Sequence, residues 1–223
     1  MPEKNYISLD YSFKSELGDI QERRYIQEVL LTINLMDENG GKVEKIGHAV
    51  FFVLHIDHAI DDNYPIFQVL DGYSEYLSRH LLEIIDLDME EFAEDIQEYY
   101  QSSFYNTNVC VIQELSIFPK FRGYDLGAKA IKDIIFHFGK SFGLCVLQPH
   151  PIQFDPALEM KLDIEKMGIV DLEKDEALAF EKLRNYYLRM GFEAIEGFEE
   201  VLFFNPIFQN DAIDQISLDE DPF

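Results

Sequence analysis

Between Asn108 and Gln148 an apolar run, a glycine-bearing turn, a helical stretch and a second apolar run follow one another. Val109 to Ile117 reads as a strand, Ala128 to about Phe142 as a helix, and Gly143 to Gln148 as a strand ended by Pro149. Two strands joined in that order through a helix pair as parallel neighbours with a right-handed crossover, because a twisted strand feeding a right-handed helix returns to the sheet only that way. With 223 residues, 47% of them apolar, the chain buries enough surface for one large domain.

The turn itself is Arg122-Gly123-Tyr124-Asp125-Leu126-Gly127. A helix N-terminus carries unpaired N–H groups and partial positive charge, so a turn feeding one is able to hold a phosphate. Gly123 and Gly127 permit close backbone approach, and Lys120, Arg122, Lys129 and Lys132 supply positive charge. A tight turn with a purely structural purpose fits the same residues equally well.

The flanking segments predict a mixed α and β chain. Tyr25 to Asp37 and Glu44 to Ile56 enclose Asn39-Gly40 as a β-hairpin. Val29, Leu31, Ile33 and Leu35 alternate toward the core, and the second strand is apolar on both faces from Ala49 to Leu54, which places it centrally. From Pro65 to about Ser103 helical spacing takes over, with Tyr76, Leu77, His80, Leu81, Ile84 and Ile85 in one cluster and Phe92, Ile96 and Tyr99 in another. Two helices are expected there, parted near Asp86 to Asp88, with Asp88 capping the second. Residues 149–175, with Pro149, Pro151 and Pro156, form a long connection of the kind that often serves as a lid or binding loop. A helix from about Asp175 to Met190 stops at a C-cap glycine, Gly191, and short strands follow at Phe192 to Ile195 and Glu200 to Phe204. The organisation is one domain over 1–208: the hairpin and helices in 1–107, a second half in 108–208, and an acidic, loosely ordered tail in 209–223.

A formal net charge of −25 repels nucleic-acid phosphates and attracts cationic amines, although solubility alone accounts for many of the carboxylates. No apolar run reaches the ~18 residues of a membrane span, and the first residues lack a signal-peptide pattern, so a cytoplasmic location is expected. Cys110 and Cys145 sit in apolar runs and read as buried free thiols. His55-Ile56-Asp57-His58 reads as a polar strand end, its two imidazoles falling on opposite faces, and no metal is expected.

Glu114-Leu115-Ser116-Ile117-Phe118-Pro119-Lys120-Phe121-Arg122-Gly123, with the turn after it, resembles the strand and acetyl-CoA loop of the GNAT N-acetyltransferase superfamily. Arg184 to Phe192, containing Tyr187-Leu188-Arg189-Met190-Gly191-Phe192, is similar to that family's distal helix and turn. The resemblance is strongest over residues 108–204. It implies an α/β (α+β) fold: a mixed, mostly antiparallel central sheet with helices on both faces and a parallel, splayed strand pair. It also implies an acetyl-CoA-dependent transfer of an acetyl group to a small-molecule or side-chain amine, by direct attack in a ternary complex and without a metal. Arg122, Gly123, Tyr124, Asp125, Leu126, Gly127 and Ala128 then hold the pyrophosphate, and Leu115, Ser116 and Ile117 hold the pantetheine arm. Tyr187 is then the acid that protonates the departing thiolate, a buried core aromatic being the other reading of its place on the helix. From its place near the strand end Glu114 is the candidate base, with a solvent-facing strand carboxylate as the other reading, and His150 is a candidate base or substrate contact. Asp125 departs from the pattern by standing where the central glycine is usual. A carboxylate facing pyrophosphate is repulsive by on the order of 1 kcal/mol, so affinity weakens unless that side chain points away. The alternatives are a non-catalytic CoA- or acyl-CoA-binding protein on the same scaffold and an acidic protein-interaction module. Neither nucleic acid nor membrane is an expected partner, and a homodimer is left open.

Overall fold

Val29, Leu31, Ile33 and Leu35 are all buried on one face of a strand, as their alternation requires. The computed structural model describes residues 5–14, 22–71, 81–156, 158–160 and 162–218. Six strands, β1 (Tyr6–Phe13), β2 (Ile26–Met36), β3 (Lys42–Leu54), β4 (Val109–Ile117), β5 (Leu144–Leu147) and β6 (Leu202–Phe204), lie side by side in chain order. Every pair is antiparallel except β4 with β5, which the helical crossover makes parallel. The hairpin is β2–β3, turned through Asp37 to Gly41, and β3 is central between β2 and β4.

Helices cover both faces. On one, α4 (Leu126–Phe138), α5 (Glu176–Arg189) and α6 (Asp211–Asp214) bury Ile131, Ile134, Tyr187, Met190 and Ile213 against Ala49, Phe51, Cys110 and Leu147. On the other, α1 (Ile56–Asp61), α2 (Ile66–Asp71) and α3 (Glu94–Tyr99) place Ile56, Val69, Leu70 and Ile96 against Phe52, Leu54, Val111 and Phe203. Cys110 and Cys145 are neighbours across β4 and β5, free and buried, and burial pushes the Cys110 thiol up.

Several expectations change. Strand β1 was not anticipated, although Ile7, Leu9, Tyr11 and Phe13 alternate with Ser8, Asp10 and Ser12. His55 to Asp62 is no strand end: β3 stops at Leu54 and α1 begins at Ile56. Asp88 caps nothing, because Ala93 is the N-cap of α3, and the gap is spanned by a two-residue ribbon, Ile85–Asp86 with Glu91–Phe92. There the Asp86 carboxylate accepts the backbone N–H groups of Asp88 and Met89, the local turn chemistry that short acidic side chains favour. Tyr76, Leu77 and His80 lie outside the described residues. Residues 209–218 dock instead of trailing: Asn210 caps α6, Ile213 is buried, and Lys132 donates to the carbonyls of Asp214 and Ile216. Among the described residues of the 149–175 connection there are four short 3-10 turns and no longer helix or strand.

Candidate functional site

Pairing between β4 and β5 runs from Val109 with Leu144 to Ile112 with Leu147 and ends there. At that point β4 carries one residue too many against β3: Phe51 faces Ile112 and Val50 faces Glu114, which leaves Gln113 as a bulge. A bulge bends its strand and sharpens the twist, so β4 swings away just where β5 leaves for Gln148 and Pro149. Glu114 to Ile117 stay hydrogen-bonded to β3 on one side and face a cleft of about 1230 Å³ on the other. Ligand sites in proteins run to ~300–1,000 Å³, so this cleft is large enough for an extended ligand.

The floor of the cleft leads to the N-terminus of α4. Gly123 and Asp125 both have left-handed backbone, at φ +86° and +54°. Aspartate is among the few residues besides glycine that tolerate this region, which is how Asp125 fills a position expected of glycine. It is the N-cap residue of α4, yet its side chain makes no capping hydrogen bond. Gly127 is required for a different reason: a β-carbon there would lie 2.6 Å from the Tyr186 hydroxyl. That hydroxyl accepts the Ala128 N–H, and burial first, then Asp125, pushes the phenol up to about 12. Gly127→Val is therefore expected to displace the Tyr186 ring and lower the free energy of unfolding by about 1–3 kcal/mol, read by urea denaturation. A stability equal to that of the parent would show that the ring moves aside without cost.

The cations near the turn are deployed differently from the sequence expectation. Arg122 lines the cleft, but its guanidinium donates to the Ile117 carbonyl at 2.9 Å and the Met167 carbonyl at 2.5 Å. Burial lowers its pKa, and Asp171 acts in the opposite direction. Its side chain thus staples the turn to the end of β4 and to the 149–175 connection. Lys120 pairs with Glu44 at the surface, and Lys132 serves α6. Lys129 and Arg189 instead line a second hollow of about 620 Å³ beyond the turn, which shares Asp125 and Tyr186 with the cleft. Cleft and hollow together make a path across the N-terminus of α4.

Of the remaining predicted residues, Leu115, Ser116, Ile117, Glu114, His150 and Tyr187 all line the cleft. Tyr124 lines the hollow and Ala128 is buried beside it. Tyr187 and Tyr186 are adjacent on α5, their rings 5.4 Å apart, and Tyr187 also packs edge-on against Phe192. Gly191, at φ +92°, ends α5 by letting the Phe192 N–H return to the Tyr187 carbonyl. His150 packs edge-on against Phe180, and its Nε2 is buried without a hydrogen bond. Glu114 stands 2.7 Å from Nε2 of His48 on β3, a residue the sequence reading passed over. Its one available signal was a single imidazole within the apolar run 46–54.

The connection closes over this end of the sheet. Asp163 binds Lys45 at 2.5 Å and Lys166 at 2.9 Å, and these bonds hold its carboxyl down to about 2. Gly168, at φ +56°, lies so near Pro119 that a β-carbon would collide with the ring. In comparisons with protein-family models, with curated proteins and with solved structures, nothing matches this chain.

Proposed function

We propose that the chain is an acetyl-CoA-dependent N-acetyltransferase acting on a primary amine. The observation that carries this reading is the opening between β4 and β5, whose exposed strand edge leads without interruption to a helix N-terminus. A pantetheine arm carries amides, which match the cleft-facing backbone of β4 beyond Ile112, where pairing with β5 has ended. A pyrophosphate matches the Leu126 and Gly127 N–H groups at the start of α4, the Ala128 N–H being held by Tyr186, and Lys129 and Arg189 stand beyond it for the remaining phosphate. Asp125 lines both the cleft and the hollow, so its carboxylate lowers pyrophosphate affinity by on the order of 1 kcal/mol, and Arg122 acts as a staple through its side chain while contributing to the turn through its backbone.

Glu114, Asp125, Asp155, Asp171 and Glu173 line the same cleft against Arg122, Lys174 and Lys182, of which Lys182 is paired with Glu173, and this excess of carboxylates favours a cationic acceptor. Glu114 removes a proton from the acceptor ammonium, so that the neutral amine attacks the thioester carbonyl carbon. Carbon–nitrogen bond formation gives a tetrahedral intermediate whose collapse breaks the carbon–sulfur bond. Tyr187 gives its phenolic proton to the departing thiolate and regains one from the nitrogen of the new amide. Tyr186 has its oxygen on the Ala128 N–H and its acidity suppressed, which suits it to anchoring the helix N-terminus.

Calorimetry with acetyl-CoA and with CoA tests the reading: micromolar binding of both is expected, and absence of heat at millimolar ligand would refute it. Binding of CoA with no thioester consumed across a panel of amines would favour a non-catalytic CoA-binding protein.

A further inference from the structure

His48 lies on β3 opposite Ser116 of β4 and is fully shielded from solvent. Buried polar atoms are almost always hydrogen-bonded, since one left unpaired costs ~1–3 kcal/mol. Here only one ring nitrogen is served. Nε2 lies 2.7 Å from Oε1 of Glu114, whereas Nδ1 is buried without a hydrogen bond. The nearest carboxylate oxygen to Nδ1 is Oδ2 of Asp163, at 4.0 Å. The 2.7 Å contact needs a proton between its two atoms, and a proton on Nδ1 would have no acceptor within bonding reach. The tautomer that satisfies both observations has Nε2–H donating to Glu114.

The groups around the ring suit that arrangement. Glu114 approaches from β4, Asp163 and Lys166 from the connection, and Lys45 from His48's own strand, while Thr32, opposite on β2, is uncharged. The Phe118 ring meets the imidazole edge-on with centroids 6.4 Å apart. Two carboxylates thus face two ammonium groups, and Asp163 is held by both of the latter.

We propose that His48 is the positioning residue for Glu114: its Nε2–H holds one carboxylate oxygen while the other takes the proton of the acceptor ammonium. The connection completes the device, because Asp163, fastened to Lys45, closes the pocket over the imidazole. This inference rests on the acetyl-transfer reading. Its proton balance is simple: the ammonium loses one proton to Glu114, which passes it to solvent, and the second N–H proton replaces the one Tyr187 gives to sulfur.

The test compares His48→Ala, His48→Gln and Glu114→Gln with the parent, using acetyl-CoA with spermidine and with a lysine-bearing peptide as acceptors. Without the Nε2–H donor the carboxylate loses its orientation, so the acidic limb of the kcat/KM profile should change shape and kcat/KM should fall about tenfold in His48→Ala, with acetyl-CoA affinity within twofold. His48→Gln offers an amide N–H to the same oxygen and should recover most of the activity, and Glu114→Gln should lose the acidic limb altogether. Should the alanine variant fail to fold, the glutamine variants and nitrogen-15 spectra of the imidazole in the parent protein decide the matter, with Nε2–H and a bare Nδ1 expected. A parent-like pH profile in His48→Ala or Glu114→Gln, or a proton on Nδ1 with Nε2 bare, overturns the inference alone. Absence of acetyl-CoA binding, or of transfer to either amine, overturns the acetyl-transfer reading and this inference with it.

Discussion

Tyr187→Phe is expected to lower the turnover of acetyl transfer by about 10²-fold while leaving acetyl-CoA affinity within threefold, since proton transfer by a positioned acid contributes ~10²–10⁴. The substitution removes one oxygen and keeps the ring. The packing of Tyr187 against Tyr186 and Phe192 therefore survives, and the melting temperature should hardly move. A role in packing alone predicts the opposite pattern, with kcat close to that of the parent. Tyr186→Phe is the companion measurement. It deletes the acceptor of the Ala128 N–H at the start of α4, so its loss should appear in acetyl-CoA affinity before turnover. If Tyr186→Phe instead lowers kcat and spares binding, the acid is Tyr186, and the order of the two tyrosines in the mechanism is reversed.

Phe51→Ala is expected to lower the free energy of unfolding by ~3–5 kcal/mol, the range for removing a buried aromatic ring from a packed core. Phe51 is fully buried near the C-terminal end of β3, with the rings of Tyr11 and Phe138 set edge-on to it at 6.3 and 5.1 Å. It therefore joins β1, β3 and α4. Urea denaturation measures the effect, and a loss below about 1 kcal/mol would mean that the site collapses around the missing ring. The position also bears on function, because Phe51 is paired with Ile112 immediately before the Gln113 bulge. Loosening it should relax the angle at which β4 leaves β5, so acetyl-CoA affinity should weaken in the same variant. Intact affinity in a destabilised protein would separate the core from the cleft.

Much of the fold was legible because its signals are local. Alternation along Val29 to Leu35, the Asn39-Gly40 turn and the apolar run 49–54 specify a hairpin from short-range chemistry alone. Helix α5 has Asp175 accepting the Leu178 N–H at its start and Gly191 at its end, both readable as stop and start signals. The 56–100 region was harder. A polar sequence after a strand end, His55 to Asp62, turns helical only because Ile56 and Ala59 find the apolar face of β3 and β4. The short hydrophobic spacing in residues 209–218 was likewise insufficient until Ile213 met the core and Lys132 met the carbonyls of Asp214 and Ile216.

The candidate site divides along the same line. Sequence by itself determined the parallel crossover from β4 to β5 and the turn at the head of α4, since spacing and residue type suffice for these. Only the tertiary structure decided what surrounds them. The extra residue at Gln113 is visible as a bulge only once β3 supplies the register. Tyr186 reaches the Ala128 N–H only because Gly127, 59 positions earlier in the sequence, has no side chain in the way. Arg122 looks inward because two carbonyls, Ile117 and Met167, converge on it from separate segments. His48, Glu114 and Asp163 come from a strand, its neighbour and a long connection, and no local pattern announces their meeting. Hydrogen bonds and ion pairs act over a few ångströms of space, whereas sequence patterns report only neighbours along the chain.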